Sequence, residues 1–409
     1  MIKSTWKNAK DMFQSAKYGI ASNDCSLLQK AIAGTNVSSY EAKCSPATSL
    51  AWQNVQNLTL QHFQVSMPPS LLQKESEIVL GYIHVINNGL VTENGDILTG
   101  SSDIRILRCK ENLYHTPEMI YQETDKTIPH FKEVFTISQY WGDGFFHYMV
   151  EDLPRLMPYL EFLTKFESIM IHVNSRNGFT KSIMKYIGIL ESRLVTGHVQ
   201  ADIVYSPGGS SCGHVSLLNA HYQSLFFRNT LHSFPSKIQD VIVLIWRSDR
   251  RWFNYHSSIL LSLEKLALRY GLKVKVLSDI HLPSLEETIG MFNRAFIVVA
   301  PHGAGNSNLM FSESGTVLVE GLCDPINLCY TRLSVNLAHR YYGIVYPATN
   351  KTCFEFTKSD VLPPVCKAVE MLKGVVVDPM LCSAISLYVL NTQIIVVILI
   401  GLITKQSIV

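Results

Sequence analysis

The sequence has almost no excess charge of either sign. Its 409 residues hold 35 Lys and Arg against 33 Asp and Glu, a net charge of +2. No run of cations is interleaved with aromatic side chains, the pattern typical of chains that follow a phosphate backbone. This absence excludes nucleic acid as an expected partner. Hydrophobic residues make up 47% of the chain, enough for two ordinary domains with filled cores.

No two cysteines form a C-x-x-C pair. That absence excludes a zinc ribbon and a thioredoxin-type site. Disulfide bonds are still possible, but because the number of cysteines is odd, at least one thiol would remain unpaired. The nine cysteines stand at positions 25, 44, 109, 212, 323, 329, 353, 366 and 382.

The N-terminus lacks an apolar core of the length that a signal peptide or signal anchor needs. We therefore expect either a cytosolic protein or a true start that lies upstream of Met1. Three sequons, at Asn36, Asn57 and Asn350, would accept N-glycans if the chain enters the secretory pathway.

One long apolar run stands near the other end. Residues 383–404 carry no charge over a length that could cross a bilayer as a helix. A buried terminal helix or strand pair is the alternative. Lys405, just beyond the run, favours a cytoplasmic C-terminus if the run spans a membrane.

The chain divides into a lead-in and two α/β halves. Residues 1–76 read as helical or irregular, and residues 77–235 and 236–380 alternate apolar strands with helical stretches. In the first half, Asn88–Gly89 and Asn94–Gly95 predict turns between short antiparallel strands. Uninterrupted Val, Ile and Leu runs predict mainly parallel sheets covered on both faces. Together these patterns predict an α/β fold of two Rossmann-like domains that face one another.

The second half gives the clearest alternation. Its predicted strands are VIVLIW (241–246), KVKVL (273–277), FIVVA (296–300) and TVLVE (316–320). Its predicted helices include SLEETIGMFNRA (284–295), one from about Ser307, and TRLSVNLAHRYYG (331–343).

The sequence PHGAG directly follows the strand FIVVA. Gly303 and Gly305 let the backbone approach an anion, and the following helix start, with Ala304 in its first turn, presents free amides. His302 stands beside them. This pattern predicts a phosphate site, and the alternative is a tight turn in which His302 caps the sheet.

Charged side chains leave two further strands of the same half. Arg247, Arg250 and Arg251 follow VIVLIW, and guanidinium groups match phosphate oxygens; a solvated loop paired through Asp249 is the alternative. Glu320 ends TVLVE, where an acid can accept hydrogen bonds from ribose hydroxyls, as in dinucleotide folds.

The segment FFHYMVEDLPRL holds a second candidate site. His147 and Glu151 are four residues apart, so a helix would place them on one face as a base and its orienting partner. Alternatively, His147 belongs to an aromatic core and Glu151 pairs with Arg155.

Three stretches of the chain resemble glycosyltransferase family 61. They are FFHYMVEDLPRL, VLIWRSDRRWFN and VVAPHGAGNSNLMF with the following TVLVEG, in the family's order, and Tyr148 replaces a commoner Trp. The resemblance implies a GT-B fold, with an acceptor domain over 77–235 and a nucleotide-sugar-binding domain over 236–380. It assigns catalysis to His147 and Glu151, and substrate or donor contacts to Arg155, Arg247, Arg251, His302, Gly303, Ala304, Gly305 and Glu320.

The function implied by the resemblance is an inverting transfer. A UDP-sugar, with xylose or N-acetylglucosamine, would donate to a hydroxyl of a glycan or glycoprotein without a metal or other cofactor. Eukaryotic members are Golgi or endoplasmic-reticulum proteins, so the resemblance implies a luminal location, with residues 383–404 as a candidate anchor; a cytoplasmic location follows if no signal sequence is missing.

Two other functions compete with transfer. The sequence GSSCG (209–213) fits a nucleophile elbow, which would make Ser211 the nucleophile of a serine hydrolase with HGAG as its oxyanion segment. The order of the two motifs is reversed relative to that fold, since His302 follows Ser211 by 91 residues. A nucleotide-sugar-binding protein without turnover is the third alternative.

Overall fold

The structure is a computed structural model. It describes residues 38–39, 83–99, 102–104, 128–207, 212–213, 217–230, 238–248, 251–322, 327–337, 339–345 and 356–382. The predicted lead-in (1–76, apart from 38–39), the boundary between the two predicted halves at 235/236 and the apolar run 383–404 lie outside these residues, so the domain boundaries stay predictions. Among the helices that the structure does describe, none combines the length and hydrophobicity needed to span a bilayer.

The first sheet mixes antiparallel and parallel pairing. Its strand order is β4-β3-β2-β8-β5-β6-β7, with β1 antiparallel to β2. Strands β4, β3, β2 and β8 pair antiparallel, whereas β8, β5, β6 and β7 pair parallel. The strands are β1 Ser38–Ser39, β2 Ile83–Val91, β3 Ile97–Thr99, β4 Ser102–Ile104, β5 His130–Thr136, β6 Met170–His172, β7 Leu194–Val195 and β8 Val199–Pro207.

One of the two predicted turns in this sheet is wrong. Asn94–Gly95 does join β2 to β3, and Gly95 takes the left-handed φ of +82° that such turns favour. Asn88–Gly89 instead lies inside β2. A Cβ at Gly89 would lie 2.9 Å from Cγ2 of Val204 on the adjacent strand, so this glycine serves close side-chain packing.

A continuous helical segment follows β5 and changes its winding along its length. It consists of α1 Phe145–His147, a π-helical turn Tyr148–Asp152, α2 Leu153–Leu156, a 3-10 turn Met157–Tyr159 and α3 Leu160–Lys165. Pro154 has no N–H to donate to the Val150 carbonyl, which accounts for an interrupted α pattern at this point. The first half also contains α4 Gly178–Tyr186, a 3-10 turn Glu191–Arg193 and α5 Leu217–Thr230.

The second sheet is fully parallel, in the order β10-β9-β11-β12-β13. Every residue of β11 and β12 is buried, as predicted from their apolar sequences, because helices cover both faces. The elements are β9 Val241–Trp246, α6 His256–Arg269, β10 Lys273–Ser278, α7 Leu285–Asn293, β11 Ala295–Pro301, a 3-10 helix Ala304–Phe311, β12 Val317–Leu322, α8 Cys329–Asn336, β13 Arg340–Val345, α9 Lys358–Lys373 and α10 Pro379–Cys382. The predicted α/β fold is confirmed.

Two helix predictions in this half need correction. The helix predicted from about Ser307 is the 3-10 helix that begins at Ala304. The helix predicted over 331–343 ends at Asn336, and its last residues begin β13 instead. The pairing of β13 with β12 places Tyr341 in the core, a tertiary effect that overrides the helical pattern.

The direction in which successive strands are added to the second sheet reverses at β9. The chain moves from β9 to β10 on one side and then to β11 on the other. In doubly wound sheets a ligand binds outside the carboxyl ends of the two strands where this reversal occurs. Helix α5 of the first half packs against the 3-10 helix between β11 and β12, as the 4.7 Å ring contact between Phe227 and Phe311 shows.

Candidate active site

The turn after β11 is shaped around an arginine. The first hydrogen bond of the 3-10 helix runs from the Asn306 amide to the Gly303 carbonyl, so the amides of Ala304 and Gly305 have no acceptor inside the helix. Arg247, the residue after β9, lays its guanidinium against Gly303, and any Cβ at that position would overlap it. Two amides and a guanidinium therefore meet at the point where the strand order reverses.

Close packing against Arg247, and not an unusual backbone conformation, requires glycine at position 303. Its φ of 167° and ψ of 170° describe an extended conformation that any residue adopts. Gly305 is likewise a packing glycine, because a Cβ there would lie 3.1 Å from Cγ2 of Ile245. The two glycines let Arg247 and the turn approach one another closely.

Glu320 lies beneath His302, not at the surface of the site. Its Oε1 is 2.7 Å from His302 Nδ1, and its Oε2 accepts a 2.6 Å hydrogen bond from the Tyr341 hydroxyl. Asn306 Nδ2 donates to Oε1 at 3.3 Å. The Glu320 side chain is fully buried, so this geometry does not support the expected contact with ribose hydroxyls. Glu320 instead fixes the ring of His302, whose Nε2 remains for a ligand.

Tyr330 connects the two halves of the site. Its ring lies 5.2 Å from that of His302 and 5.3 Å from that of Phe146, the neighbour of His147. Burial raises the pKa of the Tyr330 hydroxyl well above its usual value, and the charge of Arg251 partly offsets that rise. Arg251 therefore belongs to the same neighbourhood as His302, whereas Arg250 lies outside the described residues.

His147 and Glu151 form a hydrogen-bonded pair on the π-helical turn. His147 Nδ1 lies 3.0 Å from each carboxylate oxygen. The Glu151 side chain is fully buried, whereas that of His147 is 26% exposed. The Trp141 ring stacks over the imidazole with 6.2 Å between centroids. Because Nδ1–H donates to the carboxylate, Nε2 is the nitrogen that can accept a proton. Single π-helical turns occur often at functional sites.

A loop from later in the chain completes the environment of Glu151. The Gly213 amide donates to Glu151 Oε1 at 2.5 Å, and Cys212 is held in a disulfide. Ligand-type atoms of His147, Glu151 and Cys212 lie within 4.8 Å of one another. A disulfide sulfur is not the thiolate that binds a metal, so this cluster offers a metal only two ligands.

Arg155 is a structural residue in this geometry, contrary to the substrate contact that the resemblance implies. Its side chain donates to the Pro207 carbonyl at 2.9 and 3.2 Å and to the Ile137 carbonyl at 3.0 Å. Arg155 is only 2% exposed. It thus binds the ends of β5 and β8 to the helical segment and cannot reach the cleft.

Asp152, next to Glu151, is a buried acid that the sequence analysis missed. Burial raises its pKa well above the usual value, Arg155 lowers it and Glu151 raises it further. Asp152 therefore ionises less readily than an exposed aspartate. No sequence signal distinguishes the two acids, since only the winding of the turn decides which side each one faces.

A cleft of about 480 Å³ opens at the carboxyl edge of the second sheet. One wall comes from the ends of β9 and β10 and the start of the 3-10 helix, and the other from α4 and Phe145 of the first half. Asp279, just after β10, is an acidic lining residue that the sequence analysis did not select, although the strand-exit reasoning applied to Glu320 could have found it. The lining includes Phe145, Gly178, Phe179, Ser182, Ile183, Ile245, Trp246, Arg247, Leu277, Asp279, Leu282, Pro283, Leu285, Thr288, Ala304, Gly305 and Asn308.

Fold and site together define an α/β protein with one mixed sheet, one parallel sheet and a ligand cleft beside the strand reversal that Arg247 and Asp279 line. A family model described as Glycosyltransferase 61 matches residues 145–319, the stretch from the His147 helical segment to β12. This match confirms the predicted resemblance to glycosyltransferase family 61 and indicates a glycosyltransferase. No curated protein sequence matches the chain significantly.

Proposed function

We propose that the protein transfers a sugar, with inversion, from a UDP-sugar to a hydroxyl of a glycan or glycoprotein. The observation that carries this proposal is the convergence of Arg247, the Ala304 and Gly305 amides and His302 at the strand reversal. These groups lie near the His147–Glu151 pair, because Tyr330 contacts both His302 and Phe146. A single displacement needs a bound nucleotide-sugar on one side of the anomeric carbon and a general base on the other.

The donor side binds and neutralises the leaving group. The diphosphate accepts hydrogen bonds from the Ala304 and Gly305 amides and from the Arg247 guanidinium. As the bond from the anomeric carbon to the phosphate oxygen breaks, negative charge grows on UDP. Arg247, Arg251 and His302 stabilise that charge. These groups provide the charge stabilisation that a metal ion would otherwise supply, so we propose transfer without a metal.

On the acceptor side we propose His147 as the general base and Glu151 as its positioning partner. The acceptor hydroxyl attacks the anomeric carbon, and its proton passes to His147 Nε2 as UDP leaves from the opposite face. The exposures favour His147 as the base, because Glu151 is fully buried and already accepts hydrogen bonds from Gly213 and His147. From the sequence alone, either residue could be the base.

We propose a lumenal location in the Golgi or endoplasmic reticulum, with xylose or N-acetylglucosamine as the sugar. The disulfide between Cys366 and Cys382 supports an oxidising compartment, and the sugars follow from the resembling enzymes. Membrane anchoring through residues 383–404 belongs to the same proposal and concerns residues outside those described. Ser211, the nucleophile of the hydrolase alternative, also lies outside them, and no described contact favours that alternative.

Transfer and UDP binding, measured separately, test the proposal. The wild-type protein is incubated with UDP-xylose and UDP-N-acetylglucosamine, with and without EDTA, and with glycan acceptors. UDP affinity is measured by calorimetry. We expect His147→Ala and Glu151→Gln to lower transfer by about 100-fold or more with UDP affinity changed only a few-fold. Lys181→Ala, on an exposed face of α4, is the matched control and should leave both unchanged.

Three results would contradict parts of this proposal. A His147→Ala variant with full activity removes His147 from the base role. Loss of transfer in EDTA, restored by a divalent cation, overturns the metal-independent mechanism. UDP binding without transfer or donor hydrolysis in the wild type, with every offered acceptor, favours the non-catalytic binding protein.

A further inference from the structure

Asp279 occupies a distinctive place in the cleft. It directly follows β10, the strand on the far side of β9 from the anion-binding turn. Its carboxylate lines the same cleft as Arg247 and Ala304.

The strand spacing relates Asp279 to the anion-binding turn. The turn follows β11, Arg247 follows β9 and Asp279 follows β10, three adjacent parallel strands. Two strand spacings amount to roughly 10 Å. This is about the reach from the β-phosphate of a nucleoside diphosphate to its ribose hydroxyls, so a diphosphate at the turn brings the ribose to the end of β10. In doubly wound folds an acid at the end of the second strand binds ribose in this way.

The contacts of Asp279 hold its carboxylate ready for a ligand. The Ser248 amide donates to both oxygens, at 2.9 and 3.0 Å, and thereby fixes their orientation. A carboxylate offers about four acceptor positions, so two hydroxyls can still bind. Asp279 is exposed, unlike Glu320, whose oxygens already accept from Tyr341, Asn306 and His302.

Apolar side chains flank Asp279 on both walls. Leu282 and Pro283 follow it in the chain, and Phe179 and Ile183 of α4 lie on the opposite wall. Leu282 is 73% exposed, a large apolar surface at the rim of a cleft that contains charged groups. A planar base fits between such walls, because an apolar slot favours stacking over hydration.

We infer that Asp279 accepts the ribose hydroxyls of a nucleoside diphosphate, with the base held between Leu282 and Phe179. The inference rests on the proposed function and adds to it a subsite that determines nucleotide specificity. It also assigns the binding of the ribose hydroxyls to Asp279 instead of Glu320.

The test compares UDP with 2′,3′-dideoxy-UDP by calorimetry. We expect wild-type protein to bind UDP about 10-fold or more tightly than the dideoxy analogue. In Asp279→Ala the preference should fall to within about 2-fold, because the analogue never used the carboxylate. Glu286→Ala is the matched control, since Glu286 is an exposed acid at the start of α7 that does not line the cleft; its preference should equal that of the wild type.

The outcomes distinguish a failure of this inference from a failure of the proposed glycosyltransferase function. If the wild type binds UDP but Asp279→Ala keeps the ribose preference, the inference is wrong and the proposed function stands. If the wild type does not bind UDP, the proposed function fails and the inference with it. If Asp279→Ala does not fold, Asp279→Asn is used, because its amide oxygen still accepts from the Ser248 amide; a ribose preference equal to the wild type in that variant also overturns the inference.

Discussion

Replacement of Gly303 by alanine should weaken diphosphate binding without unfolding the protein. The new Cβ would lie 2.8 Å from Cζ of Arg247 and overlap its guanidinium nitrogen, so the guanidinium must leave the turn. The backbone is unaffected, because the extended conformation of Gly303 suits alanine. A hydrogen bond to a charged group contributes about 1.5 to 3 kcal/mol, and its loss weakens UDP binding by about 10- to 150-fold.

Calorimetry and urea unfolding check the two parts of this prediction. UDP affinity should fall in Gly303→Ala as it does in Arg247→Ala, while the free energy of unfolding changes by less than about 1 kcal/mol. In the double variant the two effects should not add, because both remove the same contact. Additive effects would refute the steric link between the two residues, as would unchanged UDP affinity in Gly303→Ala.

Three further predictions concern stability. Burial lowers the pKa of His339 to about 4, below the usual 6.5, so its neutral form stabilises the fold above pH 6.5; about 2 kcal/mol of that contribution should be lost at pH 5, and His339→Gln should show a smaller fall in urea-unfolding free energy over that range. Reduction of the Cys366–Cys382 disulfide, which closes a 16-residue separation, should cost about 3 kcal/mol and lower the melting temperature in a scan with dithiothreitol, an effect absent in Cys366→Ser. Tyr341→Phe removes the 2.6 Å donor to buried Glu320 and should lower the free energy of unfolding by about 1 to 3 kcal/mol; an unchanged urea midpoint would show that this hydrogen bond contributes nothing net.

Much of the second sheet could be predicted from its apolar runs. Residues 241–246 form β9 as predicted, because a strand covered on both faces needs an unbroken apolar sequence. The failures occurred where partners far along the chain decide. Gly89 looked like a turn residue but accommodates Val204 of β8, and the start of β13 looked helical until its pairing with β12.

In the candidate site, too, local sequence predicted some features and tertiary packing decided the others. Strand exits predicted the neighbourhood of Arg247 and His302, and a four-residue spacing predicted the contact of His147 with Glu151. The exposure of each acid was not predictable, since Glu320 and Asp279 both stand at or just after the end of a strand predicted from the sequence. Only the packing shows that Glu320 is enclosed by Tyr341, Asn306 and His302.

By itself the sequence determined the alternation of strands and helices, the anion-binding turn and the family resemblance. Each of these depends on neighbours within a few residues, whose hydrophobic period and turn chemistry act locally. The tertiary structure alone decided which charged groups face the cleft. Burial and hydrogen-bond saturation depend on partners from other strands and loops, 14 to 21 residues away for Glu320 and 31 for Asp279. Such tertiary contacts enclose Glu320, orient the exposed Asp279 and connect the two halves through Tyr330.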